Sequence, residues 1–184
     1  KPVGRPRAAC LECPVPLPTQ RKAPMAITVK IDLGYEFAVK AKAADVFKLL
    51  SDVPASVAHF PKVDKLTDLG GGSYQWEMEK VGTAQVNIQT VYASKYTSQW
   101  NDAKGTGTVK WVPVKGVGNA QVGGHWKISD QKKSTAIELA IEGTVDVPLP
   151  SLMKMVVAPV VEAEFEKLVD KYIANLVKKF GGEA

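Results

Sequence analysis

Apolar and polar positions alternate most clearly from Ile27 to Val39. Ile27, Val29, Ile31, Leu33, Tyr35, Phe37 and Val39 take turns with Thr28, Lys30, Asp32, Gly34, Glu36, Ala38 and Lys40. That period of two predicts a long strand with one apolar and one wet face, as in an antiparallel sheet covered on a single side. At Ala43 to Ser51 the spacing turns helical, and Pro54 to Phe60 predicts a second short helix before Pro61. Further strands are predicted at Val63 to Leu69, Ser73 to Lys80 and Thr83 to Tyr96. A short or edge strand is expected around Thr108 to Val112, followed by Ala120 to Ser129 and Thr135 to Val147.

The final block is helical. Val161, Phe165, Leu168, Val169, Tyr172, Ile173, Leu176 and Phe180 recur at steps of three and four and share one stripe. From Pro159 to Phe180 such a helix spans roughly 33 Å at 1.5 Å per residue. An apolar stripe of that length needs an equally long apolar surface, which the strands' inner faces can supply. The Gly181–Gly182 pair offers a C-cap. Pro159 lacks the donor for the Met155 carbonyl and is expected to kink or restart the helix, leaving Leu152 to Ala158 as a short lead over one end of any cavity.

Composition narrows the function classes. The chain has 184 residues, 45% hydrophobic and 23% charged, the balance of one soluble globular domain. Its net charge of +5 is concentrated at the start: Lys1, Arg5, Arg7, Arg21 and Lys22 against Glu12 give residues 1–24 a charge of +4. The remaining +1 is too weak for a nucleic-acid footprint. Those 24 residues also hold six prolines and are expected to form a disordered or non-native leader, with the domain at 25–184. No apolar run is long enough to span a membrane. Cys10 and Cys13 have no second pair to complete a zinc site, and cysteine is absent from the rest of the chain, so a cytoplasmic setting is expected.

The order is a strand, two short helices, a strand meander and a long terminal helix. Three stretches resemble the START-like (SRPBCC) superfamily of helix-grip proteins, which includes polyketide cyclases and lipid carriers. They are Phe37-Ala38-Val39-Lys40-Ala41-Lys42-Ala43-Ala44-Asp45-Val46-Phe47-Lys48-Leu49-Leu50-Ser51-Asp52, His59-Phe60-Pro61, and Ser134-Thr135-Ala136-Ile137-Glu138-Leu139. Within the superfamily the chain is most similar to the G-subunit type found with carbon monoxide dehydrogenase. The resemblance covers about residues 26–180 and implies an α+β fold. In it a seven-stranded antiparallel sheet wraps a long C-terminal helix, with a cavity between them.

The residues expected to line that cavity are Tyr35, Phe37, Tyr74, Trp76, Met78, Ile88, Thr90, Tyr92, Trp126, Leu139, Val156, Val161 and Phe165, with His59 and Pro159 at its mouth. An almost wholly apolar set with a few hydroxyl tips suits an apolar or lipid-like small molecule oriented by a few hydrogen bonds. Each aromatic taken singly can equally be core packing. The two histidines, His59 and His125, have no carboxylate or nucleophile at triad spacing, and the glycine clusters lack a nucleotide-loop context. No metal or cofactor is therefore expected. The alternatives are a cyclase/aromatase acting between the tyrosines and His59, and an accessory protein docked on a multi-subunit enzyme.

Overall fold

The computed structural model describes residues 26–82 and 87–184. The predicted leader and residues 83–86 of one predicted strand lie outside the described residues. Strand β1 (Ile27–Val39) is followed by helices α1 (Ala43–Ser51) and α2 (Val53–Val57). Strands β2 (Val63–Gly70) and β3 (Ser73–Met78) come next, then a short ladder of β4 (Val81–Gly82) with β5 (Asn87–Ile88). The chain continues through β6 (Val91–Asn101), β7 (Thr106–Pro113), β8 (Ala120–Asp130) and β9 (Thr135–Val147). A single 3-10 turn, Ser151–Met153, leads into α3 (Lys154–Lys179). Seven strands form one antiparallel sheet in the order β1-β9-β8-β7-β6-β3-β2, an α+β arrangement with the long helix across its inner face.

The alternation read from β1 holds in register. Ile27 pairs with Val147 and Val39 with Thr135, and Ile27, Val29, Ile31 and Val39 are buried while Thr28, Lys30, Asp32 and Glu36 are exposed. The expected edge strand needs correction. β7 is an interior strand, bonded to β6 on one side and β8 on the other. Its glycine-rich surroundings create room rather than breaks. At Gly124 of β8 an added Cβ would sit 2.6 Å from the Trp111 indole, so that ring packs directly against bare backbone.

Helix α3 is gripped unevenly. Its second half carries the buried residues Val169, Tyr172 and Leu176, and Phe180 follows at its end. There the chain closes in a Schellman motif: Gly182 N–H donates to Val177 O at 2.9 Å and Gly181 N–H to Lys178 O at 3.3 Å, with both glycines at positive φ. The segment is then sewn to β1 and α1 by Ala41 N–H to Phe180 O at 3.1 Å and Ala184 N–H to Ala38 O at 3.1 Å. Asn175 Nδ2 also donates to His59 O at 2.8 Å, tying α3 to the end of α2.

The first half has no such anchors. Leu152, Met153, Met155, Val156 and Val160, none of them on the predicted stripe, are exposed, whereas the stripe from Val161 to Phe180 is buried or packed against the core. Pro159 does not restart the helix, which runs through it unbroken from Lys154 to Lys179, so the expected separate lead before it is absent. It lies in the second turn, and the carbonyl it leaves without an intrahelical donor belongs to the highly exposed Met155, where water substitutes at little cost.

Candidate ligand-binding site

Between the sheet and α3 the expected single cavity divides into two spaces. The inner one, of about 50 Å³, is bounded by α1, α2, β3, β6 to β9 and α3. The outer one is an apolar cleft of about 310 Å³ under the first half of α3. Residues of β3, of β6 with the position just before it, and of β9 connect them. Trp76, Tyr92 and Ile141 line the inner space, while Met78, Thr90 and Val145 line the outer. Phe165 lines both and is the only residue common to the two walls among the described residues.

The inner space is small because aromatic rings fill the trough. Trp76 stacks on Tyr92 with centroids 5.7 Å apart, and Phe60 meets Trp76 edge-on at 5.7 Å. Tyr172 of α3 packs against Phe60 at 4.9 Å and Trp126 at 6.0 Å. Offset and edge-to-face contacts of this kind stabilise a core beyond their buried area. The polar tips are few. The Tyr172 hydroxyl shares a 2.5 Å hydrogen bond with Ser56 Oγ, while the buried Trp76 Nε1 has no partner. The Tyr96 hydroxyl is near enough to Trp76 for that N–H to offset part of its raised pKa, but not in hydrogen-bonding geometry.

Burial raises the pKa values of Tyr92, Tyr96 and Tyr172, keeping these phenols protonated. Tyr172 is pushed up to about 12, partly restrained by the bond to Ser56. The pH dependence follows in sign. A phenol that binds its proton more tightly in the folded chain contributes its full stability below pH ~10 and loses it as pH rises through the folded value. Urea midpoints measured from pH 8 to 11.5 are expected to fall from about pH 10 upward, and Tyr172→Phe is expected to flatten that fall by up to one proton. A midpoint independent of pH over this range would contradict the buried tyrosine cluster.

The residues singled out in the sequence occupy different places. Trp76, Tyr92, Trp126, Leu139 and Phe165 line the inner space; Met78, Ile88, Thr90, Val156, Val161 and again Phe165 line the outer cleft. Tyr35, Phe37, His59 and Pro159 line neither. Phe37 packs edge-on against Trp126 at 6.5 Å. The Tyr35 hydroxyl is buried without a partner, and burial together with the neighbouring carboxylates of Asp170 and Glu166 pushes its pKa up. Tyr74 lies in a shallow groove between α2 and β2 and meets Tyr96 edge-on at 6.0 Å. His59 contributes its backbone carbonyl to Asn175, and His125 bonds Glu138 at 3.3 Å on the outer face of the sheet.

Sequence reasoning missed Ser56, Tyr96, Trp111 and Tyr172 at the inner space and Val157, Val160 and Leu168 at the outer one. Tyr172 lies on the helical stripe seven residues after Phe165, a spacing that could have placed it. Ser56 gave no comparable signal. At the rim of the cleft stand Lys62, Glu79 and Glu164. Glu164 is held below its ordinary pKa first by its hydrogen bond to Lys167 at 2.7 Å and further by Lys62.

No protein-family model matches the chain, and no curated protein matches it by sequence. Solved structures do match by shape. A START superfamily protein from Mycobacterium smegmatis superposes with a TM-score of 0.56 at 13% identity, over 82% of this chain and 97% of that one. A conserved protein from Geobacillus kaustophilus gives 0.54 at 13% identity, over 83% and 95%. The Zhui aromatase/cyclase from Streptomyces sp. R1128 gives 0.50 at 15% identity, over 81% and 90%. At such identities the likeness extends to architecture alone, and the chain has the START-like helix-grip fold.

Proposed function

We propose that the protein binds a hydrophobic or lipid-like small molecule, and that the molecule's apolar body occupies the outer cleft. The observation that carries this reading is the cleft itself. Its 310 Å³ reaches the lower end of the range for small-molecule sites, and Met78, Ile88, Val145, Val147, Val157 and Leu168 make its walls apolar. The unevenly held helix supports it as well. The first half of α3 forms the cleft's roof, and the anchoring contacts lie at the other end, so the roof can lift while the second half stays in place. A cytoplasmic carrier fits this reading, and no helix among the described residues is long and apolar enough to cross a membrane.

Two other readings follow from the resemblance. In a cyclase-type enzyme a substrate would be positioned between tyrosines and His59, but His59 lies outside the walls of both spaces. An accessory role beside a multi-subunit enzyme, as for the G-subunit type, draws on the exposed Leu152, Met153 and Met155 next to the cleft. That surface would face whatever receives the ligand, so this role is compatible with binding. Titration with N-phenyl-1-naphthylamine, an uncharged apolar fluorophore, tests the reading. One saturable site per chain with blue-shifted emission is expected; a weak rise that never saturates would contradict it.

A further inference from the structure

We propose that the free edge of β1 is an interaction surface for a second copy of this chain. Two β1 strands pair antiparallel about a twofold axis at Ile31 and join the two sheets into one. The proposal is independent of the cleft and its ligand.

β1 and β2 are the outermost strands of the sheet. The β2 edge is broken by register shifts at Val63/Lys65 and Asp68/Gly70, irregularities by which natural sheets blunt an edge. β1 has none: its 13 residues pair with β9 without a shift, and it contains no proline. Along a strand the backbone groups of successive residues point to opposite sides. At the end of β1, Lys40 N–H donates to Gly182 O at 3.2 Å and Ala38 O accepts from Ala184 N–H at 3.1 Å. The even-numbered residues of β1 therefore turn their N–H and C=O away from β9. The C-terminal residues already add a short antiparallel stretch to this edge, bridging Glu183 to Val39. Toward the start of the strand, at Thr28, Lys30, Asp32, Gly34 and Glu36, nothing among the described residues takes up the same groups, and all five residues are exposed.

Sterics and charge select the register. An axis at Leu33 would run Thr28 of the second copy into the place opposite Ala38 that Ala184 holds. An axis at Asp32 sets that carboxylate against itself, and one at Lys30 does the same to the ammonium group, both unfavourable. With the axis at Ile31, Lys30 of each copy faces Asp32 of the other, and Gly34 faces Thr28. Within its own sheet Asp32 stands opposite Glu142 of β9, and neither Lys30 nor Asp32 has an ion-pair partner among the described residues. The second copy thus brings a cation beside two neighbouring carboxylates. On the other face Leu33, half-buried, gains Val29 of the second copy as its cross-strand neighbour. The ladder exchanges about eight backbone hydrogen bonds, two for each opposed even-numbered pair. A twofold contact of this kind is closed and stops at the dimer.

Sedimentation equilibrium of the full chain at concentrations up to about 0.5 mM, where a small interface can still associate, is expected to show a monomer–dimer equilibrium. Gly34→Pro removes a donor that faces away from β9, and a Cβ there meets nothing within 4 Å. Its urea midpoint should stay close to that of the wild type while the dimer is lost. Lys30→Asp and Asp32→Lys set like charges opposite each other, so each should weaken self-association about tenfold. An equimolar mixture of those two variants should regain wild-type affinity, because each supplies the charge that the other lacks. Glu36→Lys, outside the opposed charges, should change it little. A chain that stays monomeric at every concentration, or a dimer that survives Gly34→Pro, would overturn the edge pairing. Self-association indifferent to Lys30→Asp, Asp32→Lys and their mixture would overturn the Ile31 register. Should Gly34→Pro fail to fold, the mixing experiment at two exposed residues decides.

Discussion

Replacing Leu176 with alanine is expected to cost about 3 kcal/mol, within the 2–5 kcal/mol typical of a large-to-small change in a rigid core. Leu176 is 0% exposed, next to Val169 and Tyr172 on the half of α3 that the sheet grips. Its neighbours are fixed by the Schellman closure and by the Ala41 and Asn175 hydrogen bonds, so they cannot collapse readily into the void. Against an ordinary total of about 5–15 kcal/mol the loss is large. A urea titration should show the midpoint falling with the slope unchanged. Leu152→Ala, at a residue 93% exposed on the same terminal block, should change stability by less than about 0.5 kcal/mol. Similar costs at the two positions would mean that the helix is not gripped at its C-terminal half.

That contrast also shows how far the sequence could be read. Alternation in Ile27 to Val39 and Thr135 to Val147 placed those strands because each has one wet face, and burial follows period two. The helical stripe was legible for the same reason. Val156 and Val160 are as apolar as Val169 but lie off that stripe, and they are exposed while Val169 is covered. β7 was harder to place because Gly107 reads as a breaker, whereas it is the spot on which Phe47 of α1 sits, with its ring 2.6 Å from where a Cβ would be. A close approach by a residue sixty positions away leaves no local trace.

The candidate site was legible to a similar degree. Inner-facing aromatics were identified from strand parity, which holds for Trp76, Tyr92 and Trp126. Parity cannot show whether such rings line an open cavity or fill it. Here the Trp76–Tyr92 stack and the Phe60–Tyr172 contact fill the middle, and the usable space moves toward the first half of α3. The misplacement of His59 has the same origin. Its position after α2 was read correctly, but its carbonyl rather than its ring does the structural work.

The second large effect is expected from Val161→Trp. Val161 is half-buried on the roof of the cleft, one turn from both Val157 and Phe165. An indole there would extend into open apolar space, so it should gain contacts without the strain that overpacking a filled core produces. Folding stability should hold or rise slightly, while the volume left for a ligand shrinks well below 310 Å³. The decisive measurement is a parallel titration of wild type and Val161→Trp with N-phenyl-1-naphthylamine, alongside their urea midpoints. Ligand binding in the cleft predicts saturation of the wild type at one probe per chain and affinity weaker by about tenfold or more in the variant, with an unchanged or higher midpoint. Equal affinities in two equally stable proteins would contradict it and place the bound probe elsewhere.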